Sequence, residues 1–327
     1  MMKSRCDTLA GTLSLGTLDP DRLAQHCHAM RDLGYTGVYF SDIFFLISPL
    51  DSNVAPDRIL AREDRNLLVE RPRSELEQVR RIVSDASLTI ESSHFIQLLP
   101  PPGETLEWVR PIHERLIQAA AFMGMRYVTT HAGWMFGLAS SAYLGQMAVD
   151  YLEGTVSQDE LMVEGLRRYG GAAAVRAACI LAYRQLCDAA AAHGITVTVE
   201  VTTTELPCVS QDVDALMAFM DEIERDNLGV CVDAGHCHRD GVDPAEVIRR
   251  LGPRMRETHF HDNFADRDWH NPIGIGTVNW LAVIQAMCEM GYEGRITFEQ
   301  PDYAVNAQNW RLLQQAARGA EAPGIVH

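Results

Sequence analysis

Residues 255–276, MRETHFHDNFADRDWHNPIGIG, concentrate nitrogen and oxygen ligands: His259, His261, Asp262, Asp266, Asp268 and His270. The stretch opens with a short strand pattern and closes in a glycine turn. His259 and His261 are two apart, so a strand puts them on one face. Asp268 and His270 repeat that spacing in the loop that follows. Borderline divalent metals favour imidazole plus carboxylate, so this reads as a metal site. A polar strand end with a solvated loop would leave the same local string, and the rest of the chain decides between them.

Similar residues recur where apolar runs end. His94 follows a run at 88–92, His131 one at 127–130, and Asp233 and His236 one at 228–232. Glu200 sits inside VTVEV and Glu299 inside ITFEQP, where a lone buried carboxylate costs several kcal/mol unless it is paired or metal-bound. Asp233 and His236 have a turn or cap as their bland alternative, and His94 and His131 a satisfied place in a core. His259 is expected one layer below His261 in a supporting role. His26, His28, His113, His193 and His238 read as surface or packing residues, as do Trp280 and Trp310.

The elements that must position these residues alternate. Strand patterns fall at 9–15, 37–40, 88–92, 127–130, 195–201, 228–232, 257–261 and 295–298. Helical patterns fall at 19–33, 73–86, 106–123, 172–193, 212–224, 244–251, 278–290 and 309–318. Asp19 before Pro20 is a start signal and Gly194 a stop signal. Residues 51–69 read as an irregular excursion over one end of the fold. Residues 133–171, with Trp134, Met135, Phe136, Tyr143, Leu144 and Met147, read as an insertion that forms a lid or an oligomer contact.

Eight strands alternating with helices imply parallel pairing and a (β/α)8 TIM barrel. The strand C-termini then face one mouth, where the polar residues gather. A doubly wound sheet is the competitor, but no GxGxxG follows the first strand, so no nucleotide cofactor is expected. A chain of 327 residues, 47% hydrophobic, suffices for one barrel, and a single domain over 1–327 is expected. No apolar run approaches the ~20 residues of a membrane span. The N-terminus lacks the apolar core of a signal peptide, so a cytoplasmic protein is expected. Eight cysteines without a CxxC pair suit reduced thiols. A net charge of −16 repels nucleic acid at long range.

The ordered pieces Asp233-Ala-Gly-His236, His261-Asp262-Asn263, Asp268-Trp-His270, Pro272-Ile-Gly-Ile-Gly276 and Glu299 resemble the sugar phosphate isomerase/epimerase superfamily of xylose isomerase-like barrels. That superfamily also contains endonuclease IV, and the likeness runs over roughly residues 9–316, outside the insertion. In the ketose epimerase branch it implies one divalent metal on Glu200, Asp233, His261 and Glu299, with Glu200 and Glu299 as acid and base. It further implies that His236, Arg267 and, at an imperfect offset, Glu205 bind substrate. In the endonuclease IV branch it implies further metals, one on His94, His131 and Glu200 and one on His236, Asp268 and His270. Ile275 departs from the pattern, since many relatives have glutamate there.

The expected function is therefore a metal-dependent isomerase or epimerase of a sugar or keto-sugar, free or phosphorylated, working through an enediolate. The ligand types favour Mn²⁺ or Zn²⁺, with Co²⁺, Fe²⁺ or Mg²⁺ as alternatives. The competing functions are a lyase or dehydratase on a keto-sugar or inositol, an endonuclease IV-like phosphodiester hydrolase, and a non-catalytic binding barrel. The expected partner is a small carbohydrate, with a homo-oligomer as a further expectation.

Overall fold

The computed structural model describes residues 8–13, 19–41, 47–49, 68–70, 72–95, 105–131, 147, 150, 154–201 and 213–318. Its strands are β1 (Leu9–Leu13), β2 (Tyr35–Phe40), β3 (Ile47–Pro49), β4 (Leu68–Glu70), β5 (Thr89–Phe95), β6 (Tyr127–His131), β7 (Thr196–Glu200), β8 (Leu228–Asp233), β9 (Met255–His259) and β10 (Ile296–Phe298). Eight of them form one parallel sheet in the order β10-β1-β2-β5-β6-β7-β8-β9. Just past β9, Phe260 bridges to Phe298: its N–H donates to Thr297 O at 2.8 Å, and Glu299 N–H donates to Phe260 O at 3.0 Å. These bonds join β9 to β10, and the barrel is as the alternation implies.

Helices cover the outside: α1 (Pro20–Asp32), α2 (Arg73–Asp85), α3 (Arg110–Met123), α4 (Gln158–Tyr169), α5 (Ala172–Ala191), α6 (Val213–Ile223), α7 (Ala234–Arg239), α8 (Pro244–Leu251), α9 (Trp280–Met290) and α10 (Tyr303–Ala317). Strands covered on both faces read as continuous apolar runs, and all six residues of β8 are buried. Trp280 and Trp310 are packing residues, 3% and 1% exposed. Asp19 caps α1 as its sequence signals, accepting from Asp21 N at 3.0 Å.

Several boundaries differ from the sequence reading. The third barrel strand continues to Phe95, which takes His94 into the sheet. The last helix begins at Tyr303 rather than near 309, because Asp302 caps it by accepting from Val305 N. Residues 68–70 leave the expected excursion to pair antiparallel with β3. Within 133–171, α4 starts at a capping box, Ser157 with Glu160. Residues 133–146, with Trp134, Met135, Phe136, Tyr143 and Leu144, lie outside the described residues. Among the described residues no helix is long and apolar enough to cross a membrane.

Candidate metal centre

Strand register assembles the cluster. His131 pairs with Glu200 across β6 and β7, Glu200 with Cys231 across β7 and β8, and Asp233 with His259 across β8 and β9. One oxygen of Glu200, Oε2, lies 2.8 Å from His94 Nε2 and 3.1 Å from His131 Nε2. The other, Oε1, faces His236 Nδ1 at 3.3 Å and His259 Nδ1 at 3.5 Å. His259 Nδ1 also stands 3.4 Å from Glu299 Oε1, to which Tyr39 donates its hydroxyl at 2.9 Å. Asp233 caps the short helix α7, with Oδ1 accepting from His236 N at 2.7 Å. The same oxygen lies 3.1 Å from His261 Nε2.

The loop after β9 brings in the outer residues. Asp268 Oδ2 lies 3.1 Å from His236 Nε2, 3.3 Å from His270 Nε2 and 3.6 Å from a guanidinium nitrogen of Arg239. His270 stacks on His261, with ring centroids 3.9 Å apart. Asp262, fully buried, anchors this loop: it accepts from Asn263 N, Gly274 N, Val278 N and Trp280 Nε1 at 2.8–3.1 Å. Gly235 must lack a side chain, since a Cβ there would meet His261 Cε1 at 2.0 Å.

Charge alternates through the cluster. Burial alone would push Glu200 and Asp233 up. His131 and His259 outweigh it at Glu200, and His236 and His261 at Asp233, so both sit below the ordinary carboxylate range. Burial likewise opposes charge on His259, but Glu299, Glu200 and Glu257 raise it to about 10. His270 is raised against burial to about 9 by Asp268 and Glu299, and His236 is raised by Asp233, Asp268 and Glu200. Asp268 is lowered by His236 and His270 in spite of burial. Without a cation, protonated imidazoles supply the positive charge that these carboxylates need.

The donor set fits a divalent cation. Glu200 Oε1, Asp233 Oδ2, His236 Nδ1 and both ring nitrogens of His259 and His261 are buried without a hydrogen bond. Buried polar atoms of this kind require a partner. Ligand atoms of Glu200, Asp233, His259 and Glu299 all lie within 4.8 Å of one another. So do those of His94, His131 and Glu200, and those of His236, His261, Asp268 and His270. The grouping differs from the sequence expectation in one respect: His259 joins the three central carboxylates, while His261 joins the outer set. His259 ends β9 and His261 follows one bridged residue later, so both are buried on the cluster side at different heights.

The structure thus brings together His94, His131, Glu200, Asp233, His236, His261, Asp268, His270 and Glu299. It places Arg267 apart, exposed, with its guanidinium 4.4 Å over the ring of Trp269. Glu205 lies outside the described residues. Tyr39, Arg239 and Glu257 were missed. An aromatic next to last in a strand, or an arginine ending a short helix, carries no signal of its own. Glu257 shares the period-two face of His259 and His261, which could have shown it.

Comparison with known proteins agrees with the barrel. A family model described as a xylose isomerase-like TIM barrel matches residues 27–321. An L-ribulose 3-epimerase of Methylomonas sp. is 28% identical over 125 residues, 38% of this chain and 42% of that protein. The match therefore spans less than half of that relative's length. Among solved structures, a 3-keto-D-glucoside 4-epimerase from E. coli superposes with a TM-score of 0.61 at 14% identity, over 94% of this chain and 99% of that one. A probable 3-DHS dehydratase from Bacillus anthracis superposes with a TM-score of 0.60 at 14% identity, over 93% and 99%. At such identities the superpositions speak for the fold alone.

Proposed function

The chain belongs to the xylose isomerase-like TIM barrel family, and on that premise we propose that it is a divalent-metal-dependent isomerase or epimerase of a sugar or keto-sugar. The observation that carries this reading is the pair Glu200 and Glu299. They come from β7 and from the end of β10, and they flank one imidazole, His259, at 3.5 and 3.4 Å. Their environments differ: the Glu200 side chain is 1% exposed and that of Glu299 is 10% exposed. Two carboxylates in unlike settings suit the separate roles of base and acid.

Glu200, Asp233 and Glu299 would hold the metal together with an imidazole of the HFH segment. His259 lies within common reach of all three, and His261 touches Asp233. A bound divalent cation supplies Lewis-acid polarisation of a carbonyl and a neighbouring hydroxyl oxygen. Glu200, kept ionised by its histidines, takes a proton from the carbon next to the carbonyl. Glu299, entering the step protonated, gives its proton to the neighbouring atom or to the opposite face. Glu200 is left protonated and Glu299 ionised, and exchange with solvent resets the pair. The Tyr39 hydroxyl holds Glu299 in place. His236, held between Glu200 and Asp268, is placed to meet substrate oxygens, and Arg239, paired with Asp240 and 3.6 Å from Asp268, steadies the Asp268 carboxylate. The epimerase activity of the L-ribulose 3-epimerase relative supports this chemistry.

A second reading has its own observation. The outer sets, His94 with His131 and His236 with Asp268 and His270, could hold further cations and support phosphodiester hydrolysis. The net charge of −16 weighs against a nucleic-acid substrate.

The test is a screen of ketopentoses, ketohexoses and their phosphates by NMR, using chelator-stripped protein restored with Mn²⁺, Zn²⁺, Co²⁺, Fe²⁺ or Mg²⁺. Metal-dependent formation of an isomer or epimer is expected. Conversion that persists undiminished in the stripped protein would remove the metal from the account.

A further inference from the structure

Inside the barrel, beneath the ligand cluster, Glu257 on β9 is 2% exposed. Hydroxyls from three other strands converge on it. Ser92 of β5 donates to Oε1, while Thr129 of β6 and Thr198 of β7, the latter at 3.1 Å, donate to Oε2. Thr129 and Thr198 also lie 2.8 Å apart. Above this layer stands His259, with Nε2 4.0 Å from Glu257 Oε1 and Nδ1 turned to Glu200 and Glu299. The His259 ring is wholly buried, and neither of its nitrogens makes a hydrogen bond. Tyr39, the donor to Glu299, packs beside it with centroids 4.5 Å apart.

We propose that Glu257 is a positioning residue that acts through His259 to hold Glu200 and Glu299 in the arrangement that binds the metal. This rests on the metal reading above. A buried carboxylate is costly, so an apolar side chain would serve packing alone at least as well. Three hydroxyl donors from separate strands fix Glu257 rigidly, and it meets the face of His259 that points away from the metal ligands. At 4.0 Å from His259 Nε2, Glu257 makes a charge contact and not a hydrogen bond, and that contact favours the ring orientation that turns Nδ1 to Glu200 and Glu299. His259 then stands as the spacer between the two glutamates. A cation held by Cys231, Glu257 and His259 is the rival account of this layer. However, both oxygens of Glu257 already accept hydroxyls from Ser92, Thr129 and Thr198.

The experiment measures Zn²⁺ affinity of the full chain by competition with a chromophoric chelator, with circular dichroism to verify folding. The variants are Glu257→Gln, His259→Gln and the double substitution. Glu257→Gln should weaken Zn²⁺ binding on the order of 10–100-fold. In the His259→Gln background it should change affinity by less than about 2-fold, because the path through the imidazole is already lost. Unaltered affinity in Glu257→Gln, or losses that multiply independently in the double variant, would overturn the inference. Thr198→Val removes one hydroxyl at nearly constant shape and serves if Glu257→Gln does not fold. It should weaken binding several-fold only while His259 is present, and no weakening would again overturn the inference. A wild-type chain that binds no Zn²⁺ would overturn the underlying metal reading and this inference with it.

Discussion

Glu200 and Glu299 carry the chemistry in this account, and amide substitution tests them without changing shape. Glu200→Gln and Glu299→Gln should each lower kcat by roughly 10²–10⁴-fold, with thermal melts close to wild type. Full turnover in either variant would show that the proton moves elsewhere. The cluster also sets a pH dependence. His259 and His270 have raised folded pKa values, about 10 and about 9. Their contribution to the stability of metal-free protein is complete below about pH 6.5 and is lost as pH rises through 9–10. Glu200, Asp233 and Asp268 are depressed, so their contribution is complete above about pH 4.5 and is lost on acidification. Metal-free protein should therefore melt highest near about pH 6, between the loss of these imidazole contributions at higher pH and the acid penalty of buried His113 below it, while Zn²⁺ affinity rises with pH as the imidazoles lose protons. Melts and chelator titrations across pH check both signs. At this scale Glu200 and Asp233 were legible, because a carboxylate closing an apolar strand has few other reasons to be there. The height of His259 against His261 was not legible, since a two-residue period gives the face of a strand and not the depth along it.

Among the elements, the loop after β9 depends on Asp262. Its carboxylate accepts four N–H donors, and an amide in its place must turn an NH₂ toward at least one of them. Asp262→Asn should cost roughly 2–4 kcal/mol, seen as a melting point lower by several degrees. It should disturb the outer set, which this loop supplies, more than Glu200 and Glu299. A second prediction concerns α3 and α5, where His113 is fully buried and accepts no charge readily. Burial holds its pKa down at about 4, against hydrogen bonding with Gln185. A depressed folded value means that stability is complete above about pH 6.5 and falls as pH drops toward 4, by up to about 3 kcal/mol. His113→Leu should flatten that part of the acid melting profile, and an unchanged slope would contradict this origin. Asp19–Pro20 and Gly194 were readable as helix ends because their chemistry is local. α7 was not, being a single turn whose cap, Asp233, also serves the ligand cluster. The start of α10 was missed because Asp302 stands just after Pro301 and reads equally well as a turn.

For the whole molecule, the alternation of strand and helix was enough to give the barrel, because parallel strands need long crossovers and eight such units close a ring. The convergence of His94, His131, Glu200, Asp233, His261 and Glu299 follows from that closure, although they span more than 200 positions of the chain. Closure says nothing of the role of 133–146 or of Glu205, which lie outside the described residues. The acidic surface makes a global prediction: at physiological salt the chain should show no measurable affinity for duplex DNA, as a gel-shift titration would check.

The central claim is metal-dependent proton transfer at the carbon beside a carbonyl, and its most direct test is exchange with solvent. Chelator-stripped protein, reloaded with Mn²⁺, would be incubated in D₂O with ketopentoses, ketohexoses and their phosphates, and deuterium located by NMR. Deuterium should enter next to the carbonyl of at least one of these sugars, should depend on the metal, and should fail to enter with Glu200→Gln. No exchange into any of them, together with metal-dependent cleavage of an abasic duplex by the same preparation, would contradict the account.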